Sequence, residues 1–262
     1  MKISKNKLNV VLDIGKTNVK LIFLKNDKIV KEYKTKQQNG SYRNSIKTLK
    51  SAKIIIWLIE KLKKESKKNI LENFVCTTHG CSLAFIGFDN KELIACTDYE
   101  YSFDKYKKEF LKVEPKFSTS FTPLLEGGLN TGLQIFYLSK KFPNVLKKTK
   151  YILSYPQYVA WKLSKTYSTE ITYVGCHSYL WDFKKNKYSQ LTKKLSVEKK
   201  FPPIKKAWDI IGDLKINNKK INILNGVHDS NASYLYFLKS NLKNFTLVST
   251  GTWYITLNQQ TS

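Results

Sequence analysis

Val10-Val11-Leu12-Asp13-Ile14-Gly15-Lys16-Thr17-Asn18-Val19-Lys20-Leu21-Ile22-Phe23-Leu24 is the stretch on which the reading of this chain turns. Two apolar runs rich in β-branched residues flank a short polar turn, the pattern of a β-hairpin. An Asp closing the first strand, with Gly and Thr in the turn, suits the phosphates of a nucleotide. Glycine lets the backbone approach, amide N–H groups and the Thr hydroxyl donate to phosphate oxygens, and Asp holds Mg²⁺ through water. An Asp-x-Gly turn is also ordinary hairpin chemistry, so the rest of the chain has to decide.

Working outward, Asn26-Asp27 marks a second turn and Lys28 to Tyr33 alternates as a third strand. The polar stretch from Thr35 to Lys50 reads as a loop. Ser51 is the expected N-cap of a helix reaching about Lys67, with Ile54, Ile55, Leu58, Ile59 and Leu62 inward. Asn73 to Thr78 is a buried strand that ends on His79-Gly80. Ser82 to Ile86 and Glu92 to Ala95 form a hairpin about Asp89-Asn90, and Tyr101 to Gly128 is an irregular segment of functional length. Helices are expected over Leu133 to Phe142, from Pro156 through Leu163, and near Tyr188 to Leu195.

The last fifty residues repeat the opening theme. Ile221 to Leu224 is a strand, Asn225 to Ser233 a strand-to-helix turn, and Ala232 to Leu238 begins a helix. Phe245 to Val248 and Trp253 to Leu257 flank Ser249-Thr250-Gly251-Thr252, a second small polar turn between strands.

Length and composition bound the alternatives. At 262 residues with 42% hydrophobic content, the chain buries a full core as one large or two smaller domains. The formal charge of +26 raises the question of nucleic acid, but Arg43 is the only arginine. Bidentate base and phosphate readers are therefore missing, and the lysines are scattered apart from short runs such as Lys63-Lys64 and Lys193-Lys194. No specific nucleic-acid partner is expected. Cys76, Cys81, Cys96 and Cys176 lack C-x-x-C spacing, which argues against a zinc site or redox pair. The longest apolar run, Ile54 to Ile59, is far below membrane-spanning length, and Asp13 interrupts the first run too early for a signal peptide. A cytoplasmic protein is expected.

Several motifs, in order, resemble the FGGY carbohydrate kinases, in particular the fuculokinase- and rhamnulokinase-like members. They are Asp13 to Asn18, Thr78-His79-Gly80, Asp98-Tyr99-Glu100, Tyr155-Pro156-Gln157-Tyr158, Gly175-Cys176-His177, Leu180-Trp181, Gly226 to Ser233 and Ser249 to Trp253. The resemblance implies an α/β fold of the ribonuclease-H-like/actin-like ATPase type, a mixed central sheet with helices on both faces. It implies a sugar-binding domain over residues 1–242 and, in 243–262, the first strands of an ATP-binding domain. The chain stops inside those strands, so a fragment with little turnover alone is expected, its missing part supplied by a longer frame, a separate chain or a homodimer.

Carried over residue by residue, Asp229 is the catalytic base that takes a proton from a sugar hydroxyl as it attacks the γ-phosphate of ATP. Asp13 holds Mg²⁺ through water. Gly15, Lys16 and Thr17 line the first phosphate turn, Gly251 and Thr252 the second. His79, Asp98, His228 and Asp229 contact the sugar, a ketose or deoxy-ketose such as L-fuculose, L-rhamnulose or D-xylulose. The residues alone also permit plainer roles: Asp229 as a helix cap, His79 and His177 as structural histidines, Trp161 and Trp181 as core, Lys16 as a solvated turn residue. A non-catalytic sugar-binding or regulatory protein is the alternative function.

Overall fold

The structure is a computed structural model and describes residues 6–250 and 254–258. The chain opens with β1 (Lys7–Ile14), β2 (Asn18–Lys25) and β3 (Lys28–Lys36), three antiparallel strands joined by tight turns. Asn26 and Asp27 both take left-handed backbone (φ 48° and 61°), as a two-residue turn between twisted strands requires. Where a loop was expected, a small hairpin forms from β4 (Asn39–Tyr42) and β5 (Ile46–Leu49). Arg43 and Asn44 turn it with the same left-handed pair (φ 48° and 53°). Helix α1 (Ser51–Ser66) follows; Lys50 occupies the cap position and no side chain caps the helix, so Ser51 is its first residue instead.

Next come β6 (Ile70–Thr78), β7 (Leu83–Gly87) and β8 (Glu92–Ile94), then the short helices α2 (Lys107–Phe110) and α3 (Phe117–Ser120) within the irregular segment. Helix α4 (Thr131–Lys141) ends one residue before Phe142, and Pro143 opens α5 (Pro143–Lys148). The remaining elements are β9 (Thr149–Ser154), α6 (Tyr155–Ser164), α7 (Ile171–Gly175), β10 (Trp181–Asp182), β11 (Lys187–Tyr188), α8 (Gln190–Lys194), β12 (Ile210–Ile216), β13 (Lys219–Leu224), β14 (Val227–His228), α9 (Asp229–Leu238), β15 (Thr246–Thr250) and β16 (Tyr254–Asn258). Helix α9 thus starts at Asp229, three residues earlier than expected. The final hairpin of β15 and β16 forms as anticipated, while Gly251, Thr252 and Trp253 lie outside the described residues.

The main sheet is mixed and runs β12-β13-β6-β1-β2-β3. Strand β6 is its pivot, parallel to β1 along one edge and parallel to β13 and then β14 along the other. Alternation places Leu8, Val10, Leu12 and Ile14 of β1 in the core with Leu71, Phe74 and Cys76 of β6. Ile54, Leu58 and Leu62 of α1 and Tyr155, Tyr158 and Val159 of α6 complete that cluster. The opposite parity, with Val11, Asp13, Val75 and Thr77, is only half-buried.

A second core lies between the sheet β8-β7-β9, helix α4 and the segment through Trp181. Strand β7 is shared: Ala84 and Ile86 face the first core, Leu83 and Phe85 the second. A strand buried on both sides loses its period-two pattern, which is why β7 reads as a continuous apolar run. Trp161 and Trp181 are core residues, as their plainer reading had it.

Candidate functional site at the ends of three parallel strands

Register alone brings the predicted carboxylates and histidines together. Asp13 of β1 pairs with Thr77 of β6, which pairs with Val227 of β14; one step on, Ile14, Thr78 and His228 are aligned. The next residues out of β6 and β14 are His79 and Asp229, so Asp13, His79, His228 and Asp229 collect where parallel strands end. Open α/β sheets bind ligands outside such carboxyl ends.

Two glycines make the convergence possible. Gly226 has φ 85°, and a Cβ there would lie 2.6 Å from the Cys76 carbonyl oxygen. It lets the chain leave β13 and rejoin the same edge of β6 as β14. At Gly80 a Cβ would sit 2.8 Å from His228 Nε2, so only glycine admits that imidazole. The crossover is tied down by buried amides. Gln157 Nε2 donates to the Asn225 carbonyl at 2.9 Å, and Asn225 Nδ2 donates to the carbonyls of Thr169 (3.1 Å) and Lys205 (2.9 Å).

Each site group is held differently. His79 Nδ1 lies 2.9 Å from the Gly80 carbonyl, a pure acceptor, so Nδ1 carries the proton. Its Nε2 is buried without a hydrogen-bond partner. Burial lowers its pKa, outweighing the Gly80 bond and the nearby carboxylates, which leaves the ring neutral with a lone pair available. His79 packs edge-on against Tyr99 and Tyr155. Asp229 Oδ1 accepts from Ser230 N at 2.6 Å and lies 3.3 Å from His228 Nε2. The helix cap position belongs to His228, so Asp229 is not the cap. His228 Nδ1 donates to Asn231 Oδ1 at 2.8 Å; burial opposes its charge, yet Cys176, Asp229 and Asn231 lift its pKa to about 9.

Asp13 is half-buried, and burial first, then repulsion from Asp229 and Glu32, raises its pKa against the pull of Lys20. Two carboxylates in electrostatic contact favour a cation between them. Beside Asp13 in the same row, the buried Thr77 hydroxyl has no hydrogen-bond partner, a further polar group available to a hydrated ion. No group of three His, Cys, Asp or Glu side chains forms a ligand shell among the described residues. Asp13 therefore fits Mg²⁺ held through water, the way that ion is bound by few protein ligands and substrate phosphates.

Lys16 departs from its plainer reading as a solvated residue. Its ammonium pairs with buried Asp98 and lies 3.4 Å from Glu100 and 4.7 Å from the centre of the Tyr99 ring. Lys47 completes the cluster, 3.2 Å from Asp98 Oδ2 and 2.8 Å from Glu100 Oε2, though that Oδ2 contact falls short of hydrogen-bond geometry. Burial would raise the Asp98 pKa, but Lys16, the Glu100 amide and Lys47 together bring it down. Gly15 N donates to Asn18 O at 2.9 Å in the tight first turn, and Thr17 at its tip is exposed.

His79, His228 and Asp229 line a cavity of about 400 Å³ with Gly80, Cys81, Tyr99 and Ser230, with Leu125, Leu129 and His177, and with Tyr254, Ile255 and Thr256 of β16. Asp13, Lys16 and Asp98 are not among its lining residues, and Asp98, expected as a sugar contact, is fully buried against the two lysines. His177 is exposed, has φ 51° and lines the cavity. Sequence reasoning missed Tyr99 as a wall, the Leu125 and Leu129 side of the irregular segment, and Asn225. The last had a signal, an Asn-Gly pair directly after a strand.

No family model and no curated protein matches the sequence. Solved structures do. A carbohydrate kinase from Novosphingobium aromaticivorans superposes with a TM-score of 0.90 and 26% identity over 97% of this chain and 56% of its own. A ligand-bound xylulose kinase from Lactobacillus acidophilus gives 0.74 and 16% over 87% of this chain and 49% of its own. Plasmodium falciparum glycerol kinase with ADP gives 0.72 and 15% over 88% and 50%. The chain spans about half the length of these kinases. With its mixed sheet, its strand-end site and these superpositions, it has the actin-like architecture of the N-terminal half of FGGY-type carbohydrate kinases.

Proposed function

We propose that this chain is the sugar-binding part of an ATP-dependent kinase acting on a ketose or deoxy-ketose, with L-fuculose, L-rhamnulose and D-xylulose as the first candidates. The observation that carries the reading is the gathering of the unpartnered His79 Nε2, His228 and Asp229 around one cavity at the ends of β6 and β14, with Asp13 in register beside them on β1. In this reading residues 1–242 bind the sugar and 243–262 open the ATP-binding domain. Polypeptide beyond these residues, in the same chain or a partner, clamps adenosine. The setting is cytoplasmic; no helix among the described residues is long and apolar enough to cross a membrane.

His79 Nε2 accepts a hydrogen bond from one sugar hydroxyl, and the His228 imidazolium donates to another oxygen. Asp229, part-exposed to the cavity, takes the proton of the attacking hydroxyl; a positioned base of this kind contributes about 10²- to 10⁴-fold. Leu125, Leu129 and Tyr99 supply the apolar wall that a methyl group of a deoxy-sugar would meet. Gly15 and Thr17, with Gly251 and Thr252, receive the phosphates; Lys16 links the first phosphate turn to Asp98 on the sugar side. Asp13 would hold Mg²⁺ through water, and the ion would supply charge neutralisation to the transferred phosphoryl group.

The test is ADP release with MgATP across a panel of ketoses and polyols, together with calorimetry of sugar binding. It is run on this chain and on the chain extended by any coding sequence that follows. ADP release that Asp229→Asn abolishes supports the kinase reading. Sugar binding without ADP release from either form transfers the weight to a sugar-binding or regulatory protein, and absence of both refutes the proposal.

A further inference from the structure

His79 and His228 reach the same cavity in opposite states, and the difference lies in what faces Nδ1. At His79 a backbone carbonyl does, and Nε2 has no hydrogen-bond partner. At His228 a side chain does: Asn231, the third residue of α9, turns its Oδ1 back to Nδ1 at 2.8 Å. The other freedoms of His228 are already taken. Its backbone is aligned with Thr78 on β6, and its amide donates to the Thr172 hydroxyl at 3.3 Å. The Tyr173 ring stands at 90° to the imidazole with centres 5.9 Å apart, and the bare Cα of Gly80 makes room for Nε2. Only the protons of the ring are left open. An amide oxygen facing Nδ1 requires a proton there, whereas an amide nitrogen would require a lone pair. On the other side Nε2 forms an ion pair with Asp229 Oδ1 at 3.3 Å, and that oxygen also only accepts. Oδ1 takes the Ser230 amide (2.6 Å) and hydroxyl (3.3 Å) as well, and no hydrogen bond falls on Asp229 Oδ2 among the described residues.

Resting on the kinase reading above, we propose that Asn231 is a positioning residue for phosphoryl transfer. Its side-chain oxygen fixes His228 as the imidazolium whose Nε2–H stays beside Asp229 Oδ1, which leaves Oδ2 to take the proton of the attacking hydroxyl. Asn231 is not among the residues that line the cavity, so it acts through His228. In the transfer itself a proton passes from the sugar hydroxyl to Oδ2 while the new O–P bond forms. The bond from the γ-phosphorus to its bridging oxygen breaks, and that electron pair leaves with ADP. His228 gives up no proton in this step. A side chain at this helix position that returns to the cap residue is also ordinary helix-end chemistry, so the decisive readout is the ring and not the fold.

The chain has three histidines, so nitrogen-15 labelling of histidine gives three imidazole spectra. His79→Phe and His177→Gln assign their own, which leaves His228. When the parent ring discharges on raising the pH it should lose the Nε2 proton and keep Nδ1–H. Asn231→Leu, or Asn231→Ala if leucine disturbs the fold, should reverse that tautomer and bind the second proton roughly tenfold more weakly, the effect of one hydrogen bond. Asn231→Asp, which keeps an acceptor oxygen, should restore the parent pattern. Asp229 on α9 and Glu170 and Cys176 at the two ends of α7 also act on the charge of the ring, and the variants leave them in place. In whichever form of the chain releases ADP, Asn231→Leu should lower kcat about tenfold while KM for the sugar changes by less than about threefold, and Asn231→Asp should recover the rate. An unmoved His228 spectrum in a folded Asn231→Leu or Asn231→Ala chain overturns the role of Asn231 and leaves the kinase reading standing. So does a reversed tautomer with the parent kcat. A parent that releases no ADP in any form defeats the kinase reading itself, and the role in transfer falls with it.

Discussion

Two charged clusters stand on either side of His79 and solve opposite problems. Around Asp98, Lys16 and Lys47 oppose Asp98 and Glu100, two cations to two anions, and every shift makes the charged forms firmer. Around His228, the pKa values are moved past one another, Cys176 down to about 6 and His228 up to about 9. The first cluster holds a wall in place with ammonium and carboxylate charges. The second keeps a charged imidazolium beside the part-exposed carboxylate of Asp229 at the cavity. Burial is similar in both, so the distinction comes from partner identity: ammonium against carboxylate in one, imidazole against thiol and carboxylate in the other.

The contrast can be broken most severely at Asp229. Under the proposed kinase function, in whichever form releases ADP, Asp229→Asn should lower that release by about 10³-fold with the thermal midpoint nearly unchanged, since the carboxylate is part-exposed and outside the core. Steady-state ADP release and a melting curve decide it. Asp98→Asn should do the reverse, destabilising the fold by about 3 kcal/mol by stranding Lys16 against a neutral partner. Its pH signature follows from the lowered pKa values. The stability from Asp98 and Glu100 is complete above about pH 4, the unfolded carboxylate range, and is lost as pH falls through their folded values. Urea midpoints against pH should therefore show an acid limb in the parent chain that is shallower in Asp98→Asn.

Gly226→Ala tests the backbone that unites the clusters. A Cβ 2.6 Å from a carbonyl, at φ 85°, should cost about 2 to 3 kcal/mol and detach β14 from β6, visible as faster amide exchange at Thr78 and His228. The smallest effect belongs to His79→Phe. Nε2 has no protein partner to lose and only the Nδ1 bond to the Gly80 carbonyl goes, so stability should fall by no more than about 1 kcal/mol, while sugar affinity falls about tenfold for one missing hydrogen bond. A loss of stability without a loss of affinity would place His79 among the structural residues instead.

How far the sequence carried depends on whether polarity and geometry agreed. Asn26-Asp27 and Arg43-Asn44 make the same left-handed turn. Only the first was legible, because alternating apolar residues flank it, whereas β4 and β5 carry Gly40, Ser41 and Lys47. Asn217-Asn218 turns β12 into β13 in the same conformation, and β12 went unread for the same reason: none of its residues before Ile216 is fully buried. The strand ends bearing Asp13, His79 and Asp229 were legible since each apolar run stops on small polar residues. Asn225 and Gln157, 68 positions apart, gave no local sign of their contact. Nor did Thr172 and His228, whose amide donates to the Thr172 hydroxyl at 3.3 Å, because α7 is a helix of five residues without helical periodicity.

Strand β6 carries a consequence for how the molecule comes into being. Its first neighbour, β1, precedes it, but the partners of its other edge arrive late: Asn222 meets Asn73 across 149 positions. A chain emerging in order from its N-terminus holds the edge of β6 exposed while all intervening residues are made. Such remote pairing slows assembly. The pocket lacks His228 and Asp229 until β14 docks, because His228 ends that strand and Asp229 opens the helix that follows it. Competence to bind and completion of the fold thus coincide, and a nascent or unfinished chain has nothing to offer a ligand.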